Sequence, residues 1–483
     1  MDPHLLQMIA AKPPSKPPAK RPASRAVALV TAAALTLATM PARAQTGSSA
    51  GIPMIRDAEI EQLLRDYSQP ILKAAGLAQQ NVQVVIINDR SFNAFVIDAH
   101  RIFINTGALM DSTAPNQLIG VFAHETGHIV GGHLSKLRQE LANAQTASVI
   151  AMLLGVGAMV AGSRSSSNNA DIGNIGGAVV MGPQSYLMNR MLAFQRSQEE
   201  SADRAGVRFL TMTGQSAKGM YDTFKRFADQ TMFSAHNIDP YAQNHPLPQE
   251  RMAALAELTK NQYWDKKDPP ELQFRHDMMR AKLYGFIERP ESVLRHYPPS
   301  DTSLPARYAR AISAYRFRDT HSAVAQIDGL IQSMPSNPYF YELKGQALLE
   351  GGHPQEAVGP LRHAVQLAPN QPLLQILLGQ ALIATNDVKE SNDAIPLLRA
   401  ALIKEPESSD AYSELAMAYG RKNDYAEADL ASAQAAFARG DNKTARELAT
   451  RAKQRFPVGS PGWVRADDIV AFNKNSNQNP LRK

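Results

Sequence analysis

Residues 122–133 read FAHETGHIVGGH, a stretch with three histidines and one glutamate. His124, Glu125 and His128 form the pattern H-E-x-x-H. On a helix, residues four apart sit about 40° apart around the axis, on one face. Two imidazoles placed that way can bind one zinc ion, and the glutamate beside them can act as general base in metal-assisted hydrolysis. Val121, Phe122, Ala123, Ile129 and Val130 flank the motif. The helix is therefore expected to be largely buried, where its polar side chains need a partner. One Zn2+ per chain is the expected cofactor.

A third ligand has to be found. His133 is the tempting choice, because some zinc proteases read H-E-x-x-H-x-x-G-x-x-H and Gly131 fills the glycine slot. The last histidine of that pattern falls on position 134, which is Leu134. On a continuing helix His133 lies about 180° from His124, so it is expected to face away from the metal. Residues 196–204 read RSQEESADR, and Glu199 and Asp203 share a helix face there. One carboxylate can complete a His₂Glu site with an open position for water, and another can orient a ligating histidine from outside. An acidic pair alone means little, since charged helix faces are usually just solvated. Its weight comes from the histidines upstream.

Composition limits what surrounds such a site. The chain has 483 residues and no cysteine, which excludes disulfides, thiolate ligands and a lipoprotein anchor. The net charge of +6 sits mostly in residues 1–44, which hold six Lys/Arg against one acid. The remainder has 45 basic and 44 acidic residues, so the charge gives no argument for nucleic acid. Those first 44 residues read as a secretory signal: a basic stretch ending at Arg25, the apolar run 26–40, then Ala42-Arg43-Ala44 for cleavage. The expected location is the periplasm of a Gram-negative bacterium.

The pattern along the chain predicts a helix over 57–75, strands at 81–89 and 100–107, and a turn and strand in SFNAFVI between them. Helices follow from about 116, over 184–214 and over 249–261. Residues 45–262 are expected to form the catalytic domain, 263–303 a helical connector and 471–483 a flexible tail. The uncharged stretch 141–163, apolar over 147–161, is expected to act as a lid or to touch a membrane; its apolar core is short for a span. Residues 304–470 repeat. Gly345, Ala357, Leu361, Ala364 and Pro369 fill the slots of a tetratricopeptide repeat, and Ala311, Ala323, Ile327, Leu330 and Pro335 fill them again one 34-residue period earlier. Gly379 matches one period later, Ala394, Leu398, Ala401 and Pro406 follow after a short insertion, and Tyr412, Leu415, Tyr419 and Ala428 open another unit. The expected fold is mainly α: a zincin-like α+β domain with a small edge-exposed sheet, then an α-solenoid of tetratricopeptide repeats.

HETGH, then Glu199 and Asp203 as E-x-x-x-D, then His245-Pro246 with Arg251, resembles the HtpX-like metallopeptidases. FNAF (92–95) and IFINTGALM (102–110) fit the same pattern. With the leader and the repeats, the whole resembles the BepA-type periplasmic proteases of that family. The resemblance implies that His124, His128 and Glu199 bind zinc, that Glu125 activates water and that Asp203 supports a histidine. It implies that His245 approaches the metal, blocking it at rest or stabilising the oxyanion. Arg251 would hold that loop or the developing charge. Ile102, Phe103, Ile104 and Asn105 would pair with an extended substrate. Misfolded or stalled envelope proteins are the implied substrates, and the outer-membrane assembly machinery an implied partner of the repeats. The competing readings are a non-proteolytic repeat scaffold, against which the intact Glu125 argues, and a membrane-integrated protease.

Overall fold

The computed structural model describes residues 53–142, 172–233, 241, 245, 249–260, 262–317 and 320–472, with side chains of the long helix described from residue 192. The expected leader (1–44), the apolar run 147–161, Pro246 and the tail from 473 lie outside the described residues.

Four strands form one mixed sheet in the order β1-β2-β4-β3. They are β1 (Met54–Ile55), β2 (Gln83–Ile87), β3 (Ala94–Asp98) and β4 (Arg101–Asn105). β4 runs parallel to β2, from Gln83 opposite Arg101 to Ile87 opposite Asn105. On its other side β3 lies antiparallel, with Ala94 opposite Ile104 and Phe95 opposite Phe103. This corrects the expectation for Ile102, Phe103, Ile104 and Asn105. Their strand is interior, and its backbone hydrogen bonds go to β2 and β3, leaving no edge for a substrate. Ile102, Phe103 and Ile104 are all buried, the continuous apolar run of a strand covered on both faces. Among the described residues the open edge beside β4 belongs to β3.

Helices pack with this sheet in one core. α1 (Ala58–Ala74) starts where the Asp57 carboxylate accepts the N–H of Ile60, at 2.9 Å. Its stripe of Ile60, Leu63, Leu64, Tyr67, Ile71 and Leu72 is buried. A short α2 (Thr106–Asp111) follows β4, and then α3 (Pro115–Gly131) carries the H-E-x-x-H motif. Pro115 stands in its first turn, and the Gln117 side chain accepts the N–H groups of Thr113 and Ala114 at 2.6 and 3.2 Å. α4 (Ile172–Met212) is longer than the predicted 184–214; α5 (Lys218–Phe233) and α6 (Gln249–Leu258) complete the set. No described helix is long and apolar enough to cross a membrane.

The segment read as a connector holds α7 (Pro270–Ile287) and α8 (Pro290–His296). α7 is shared between cores: Met279 and Leu283 pack with the sheet and α1–α6, while Met278 packs with the first repeat helices. Its Lys282 is buried, and Nζ lies 2.8 Å from Asp57, 3.2 Å from Glu59 and 3.6 Å from Glu342. Helix pairs follow: α9 (Leu304–Phe317) with α10 (Thr320–Ser333), α11 (Pro338–Glu350) with α12 (Pro354–Leu367), α13 (Pro372–Ala384) with α14 (Val388–Lys404). α15 (Ser409–Arg421) with α16 (Tyr425–Ala438) and α17 (Asn442–Arg455) with α18 (Pro461–Ala471) end the series. The repeat slots read from the sequence pack as a repeat requires. Ala311, Ala323, Ile327, Leu330, Ala357, Leu361, Ala364, Ala394, Leu398 and Ala401 are fully buried. The Leu361 side chain fills the space where Gly345 lacks a Cβ.

Candidate metal centre

α3 and α4 cross with their backbones almost touching. A Cβ on Gly127, inside the HETGH motif, would sit 2.7 Å from the carbonyl oxygen of Ala202. Ala202 lies between Glu199 and Asp203 on α4, so the glycine is what lets those acids reach the histidines of α3. The result is a convergence of ligand atoms. His124 Nε2 lies 3.1 Å from His128 Nε2 and 3.3 Å from His245 Nδ1. The Glu199 oxygens lie 3.4 Å from His124 Nε2, 3.4 Å from His128 Nε2 and 3.1 Å from His245 Nδ1. These four residues all lie within 4.8 Å of one another through one ligand atom each.

The donor set fits a divalent metal. A tetrahedral zinc with ligands ~2.0–2.1 Å away separates neighbouring ligand atoms by roughly 3.3–3.4 Å, and the separations here are 3.1 to 3.4 Å. Imidazole with carboxylate and no thiolate suits zinc and the other first-row divalent metals that imidazole binds. Glu125 is fully buried beside this point, and neither of its oxygens has a hydrogen-bond partner among the described residues. A buried carboxylate left that way needs a reactant or an ion to face.

The surroundings set the charges. Burial opposes a proton on His124, but Asp203 and Glu199 outweigh it and hold the ring up at about 9. Burial, and then the charge on His124, drive His128 well below the ordinary imidazole value. Burial works to raise Glu199, yet His245, His124 and Arg251 hold it well below the usual carboxylate range. Glu125 goes the other way: burial raises it, only partly offset by His245 and His124. Without a metal, His124 therefore carries a proton that an ion at the focus would displace.

The remaining predicted residues form the outer layer. Asp203 Oδ1 lies 3.0 Å from His124 Nδ1, on the side away from the focus. The Arg251 guanidinium donates to both Asp203 oxygens at 2.7 and 2.9 Å and lies 2.9 Å from Glu199. It clamps the two acids of α4. His245 Nε2 lies 3.5 Å from Glu125 Oε1, so this ring stands between the ligands and the base. Residues 102–105 take no part in the cluster.

His133 overturns an expectation. It does not face away: its Nδ1 lies 3.0 Å from His128 Nδ1, and the residue is buried. The 180° argument assumed a continuing helix, but α3 stops at Gly131 and Gly132 takes the left-handed conformation, φ 60°. That turn folds His133 back under His128. The signal was present in the Gly131-Gly132 pair, a common helix stop. Burial, with Lys136 nearby, pushes His133 down to about 4, so its ring is neutral at ordinary pH. Two aromatic residues went unremarked in the sequence. The Tyr241 ring packs 4.7 Å from His245, and Phe224 meets His124 edge-on at 5.1 Å. Only the Tyr four residues before His245 offered a hint, since a backbone turn joins them.

Comparison with known proteins agrees with this geometry. Residues 55–259 match the model of Peptidase family M48. Residues 308–372 and 376–430 match that of the tetratricopeptide repeat. A beta-barrel assembly-enhancing protease of Escherichia coli strain K12 is 23% identical over 424 residues, covering 86% of this chain and 83% of that protein. A protein of the same name from Yersinia pestis is 21% identical over 86% of this chain and 84% of its own length. A Vibrio cholerae relative is 24% identical over 303 residues, 60% of this chain and 59% of that protein. The His/Glu cluster lies in the first matched segment and the helix pairs in the second, so the chain joins a segment similar to Peptidase family M48 to a series of helix pairs similar to tetratricopeptide repeats.

Proposed function

We propose that this chain is a zinc-dependent endopeptidase that hydrolyses misfolded or stalled envelope polypeptides in a Gram-negative periplasm. The observation that carries the reading is the convergence of His124, His128, Glu199 and His245 beside a buried Glu125 whose oxygens have no hydrogen-bond partner among the described residues. The relatives named beta-barrel assembly-enhancing proteases support the setting and the link to outer-membrane protein assembly. The repeats offer a surface of stacked helices for client chains or assembly partners.

His124, His128 and Glu199 hold the zinc. When bound, the ion supplies Lewis acidity to the scissile carbonyl and makes water acidic enough to lose a proton near neutral pH. Glu125 takes that proton and delivers it to the leaving amine; its raised proton affinity suits both halves of the task. Asp203 fixes the His124 ring through Nδ1, and Arg251 locks Asp203 and Glu199. His245, with Nδ1 3.1 Å from Glu199 and Nε2 3.5 Å from Glu125, would either stand against the ion at rest and have to move aside for substrate, or help stabilise the oxyanion. The substrate strand adds to the open edge of β3 rather than to β4.

The test uses the mature full chain with unfolded casein, with and without chelator. Glu125→Gln is expected to keep its zinc and lose roughly 10²–10⁴-fold in turnover. Casein cleavage by Glu125→Gln at the wild-type rate removes the mechanism. Glu199→Ala is expected to lose stoichiometric zinc, and full zinc content in that variant removes the ligand assignment.

A further inference from the structure

The two histidines of the motif are supported from behind by different chemistry. His124 Nδ1 faces a carboxylate, Asp203, at 3.0 Å. His128 Nδ1 faces the ring of His133, also at 3.0 Å, with the two rings nearly perpendicular at 87°. We propose that His133 is a positioning residue for the metal centre, accepting the Nδ1–H of His128 so that Nε2 of His128 stays bare and aimed at the ion. This rests on the metal-centre reading above.

The chemistry leaves one arrangement. A neutral imidazole that ligates through Nε2 carries its proton on Nδ1. That N–H needs an acceptor, because His128 lies in the buried part of α3. Among the described residues the atom within reach is His133 Nδ1, so His133 accepts there and keeps its own proton on Nε2. The backbone is shaped for this. A Cβ on Gly131 would overlap the His133 ring, which therefore lies against the bare face of that glycine. Gly132, at φ 60°, supplies the reversal that brings the ring back. Packing alone would accept a hydrophobic side chain in this place. What singles out histidine is the nitrogen facing His128. A neutral acceptor also leaves the cluster without a further negative charge, where Glu125, Glu199 and Asp203 are already buried together.

The test separates the nitrogen from the ring. His133→Phe keeps the ring's bulk without an acceptor; His133→Asn places an oxygen near the position of Nδ1. Zinc affinity of the mature chain is measured by competition with a chromogenic chelator, beside unfolding of the metal-free protein as a control for the fold. His133→Phe is expected to bind zinc about 10–100-fold more weakly, with His133→Asn recovering most of that loss. Wild-type affinity in a folded His133→Phe overturns the proposal, as does an Asn variant that folds but binds no better than Phe. His128→Ala is the control for the underlying reading: if it too keeps wild-type affinity, the metal centre is misassigned, whatever His133 does. If the variants do not fold, histidine-selective nitrogen NMR of the zinc-loaded wild type decides. The expected spectrum has the proton on His128 Nδ1 and none on His133 Nδ1; a protonated His133 Nδ1 overturns the proposal.

Discussion

The metal centre and the Lys282 joint are made from the same charges and solve them differently. Each gathers three carboxylates with one permanent cation: Glu125, Glu199 and Asp203 with Arg251, and Asp57, Glu59 and Glu342 with Lys282. The centre adds three imidazoles whose nitrogens meet the Glu199 oxygens at 3.1 to 3.4 Å. The joint adds phenols instead: Tyr308 donates to Glu59 at 2.9 Å, and Lys282 lies over the Tyr339 ring. Its surplus negative charge is met by a proton, because burial drives Glu342 up to about 7. An excess of buried acid is therefore not what makes a metal site here. Imidazole nitrogens aimed at one point make it, and the described residues hold one such group.

Removing the cation at each place breaks the comparison most severely. Lys282→Met strands three mostly buried carboxylates between α1, α7 and α11, and is expected to destabilise the chain by about 3–5 kcal/mol. Arg251→Met is expected to cost about as much in the metal-free protein. The two should then part company. Zinc can answer Glu199 in Arg251→Met and recover part of the loss, whereas it has nothing to bind at the joint. Urea unfolding of both variants, with and without zinc, measures this. A zinc-induced gain larger in Lys282→Met than in wild type would mean that the joint binds metal, and the contrast would collapse.

What the sequence disclosed follows the same division. Helix periodicity was enough to place His124 beside His128 and Glu199 beside Asp203, while His245 and Arg251 came only from the resemblance to HtpX-like metallopeptidases. The repeats were legible because Ala311, Ala357, Gly345 and their periodic counterparts must be small to pack. His133 was misplaced because two glycines end the helix that the angular argument prolonged. The substrate strand was misplaced because Ile102 to Asn105 look alike whether β4 lies at an edge or inside, and pairing is set by β2 and β3, not by composition. Nothing in the spacing of Asp57, Glu59, Lys282 and Glu342 announces that they meet. They are brought together by packing between α1, α7 and the repeat helices, which local pattern does not encode.

Stripping zinc from the wild type is a milder version of the same test. At free zinc about a hundred times Kd, bound metal should add about 3 kcal/mol to unfolding free energy, and Lys282→Met should gain the same amount. Equal gains mean that the centre and the joint act independently. A smaller gain in Lys282→Met means that strain at the joint reaches α3 through α1, which packs in the same core as that helix.

The last expected effect belongs to the proton at the joint. Glu342 has a folded-state value of about 7 against an ordinary 4.5, raised first by burial and then by Asp57 and Glu59, with Lys282 opposing. Below pH 4.5 the carboxyl is protonated whether the chain is folded or not, and the stabilisation it gives is fully present. As the pH rises toward 7 the unfolded chain gives up this proton first, while the folded chain keeps it. Stability should therefore fall across that window, by something on the order of 3 kcal/mol, and level off above it. The neighbouring Lys282 is held well above its ordinary value and does not titrate there. Glu342→Gln replaces the protonated acid with a neutral group of the same shape, so it should flatten the slope and leave the variant more stable than wild type at pH 8. Zinc affinity should not change between the two. Unfolding curves collected at half-unit steps from pH 5 to 8 test this directly. Identical slopes would show that the joint's surplus charge is carried by a group other than Glu342, and that the two clusters differ by more than the imidazoles one of them holds.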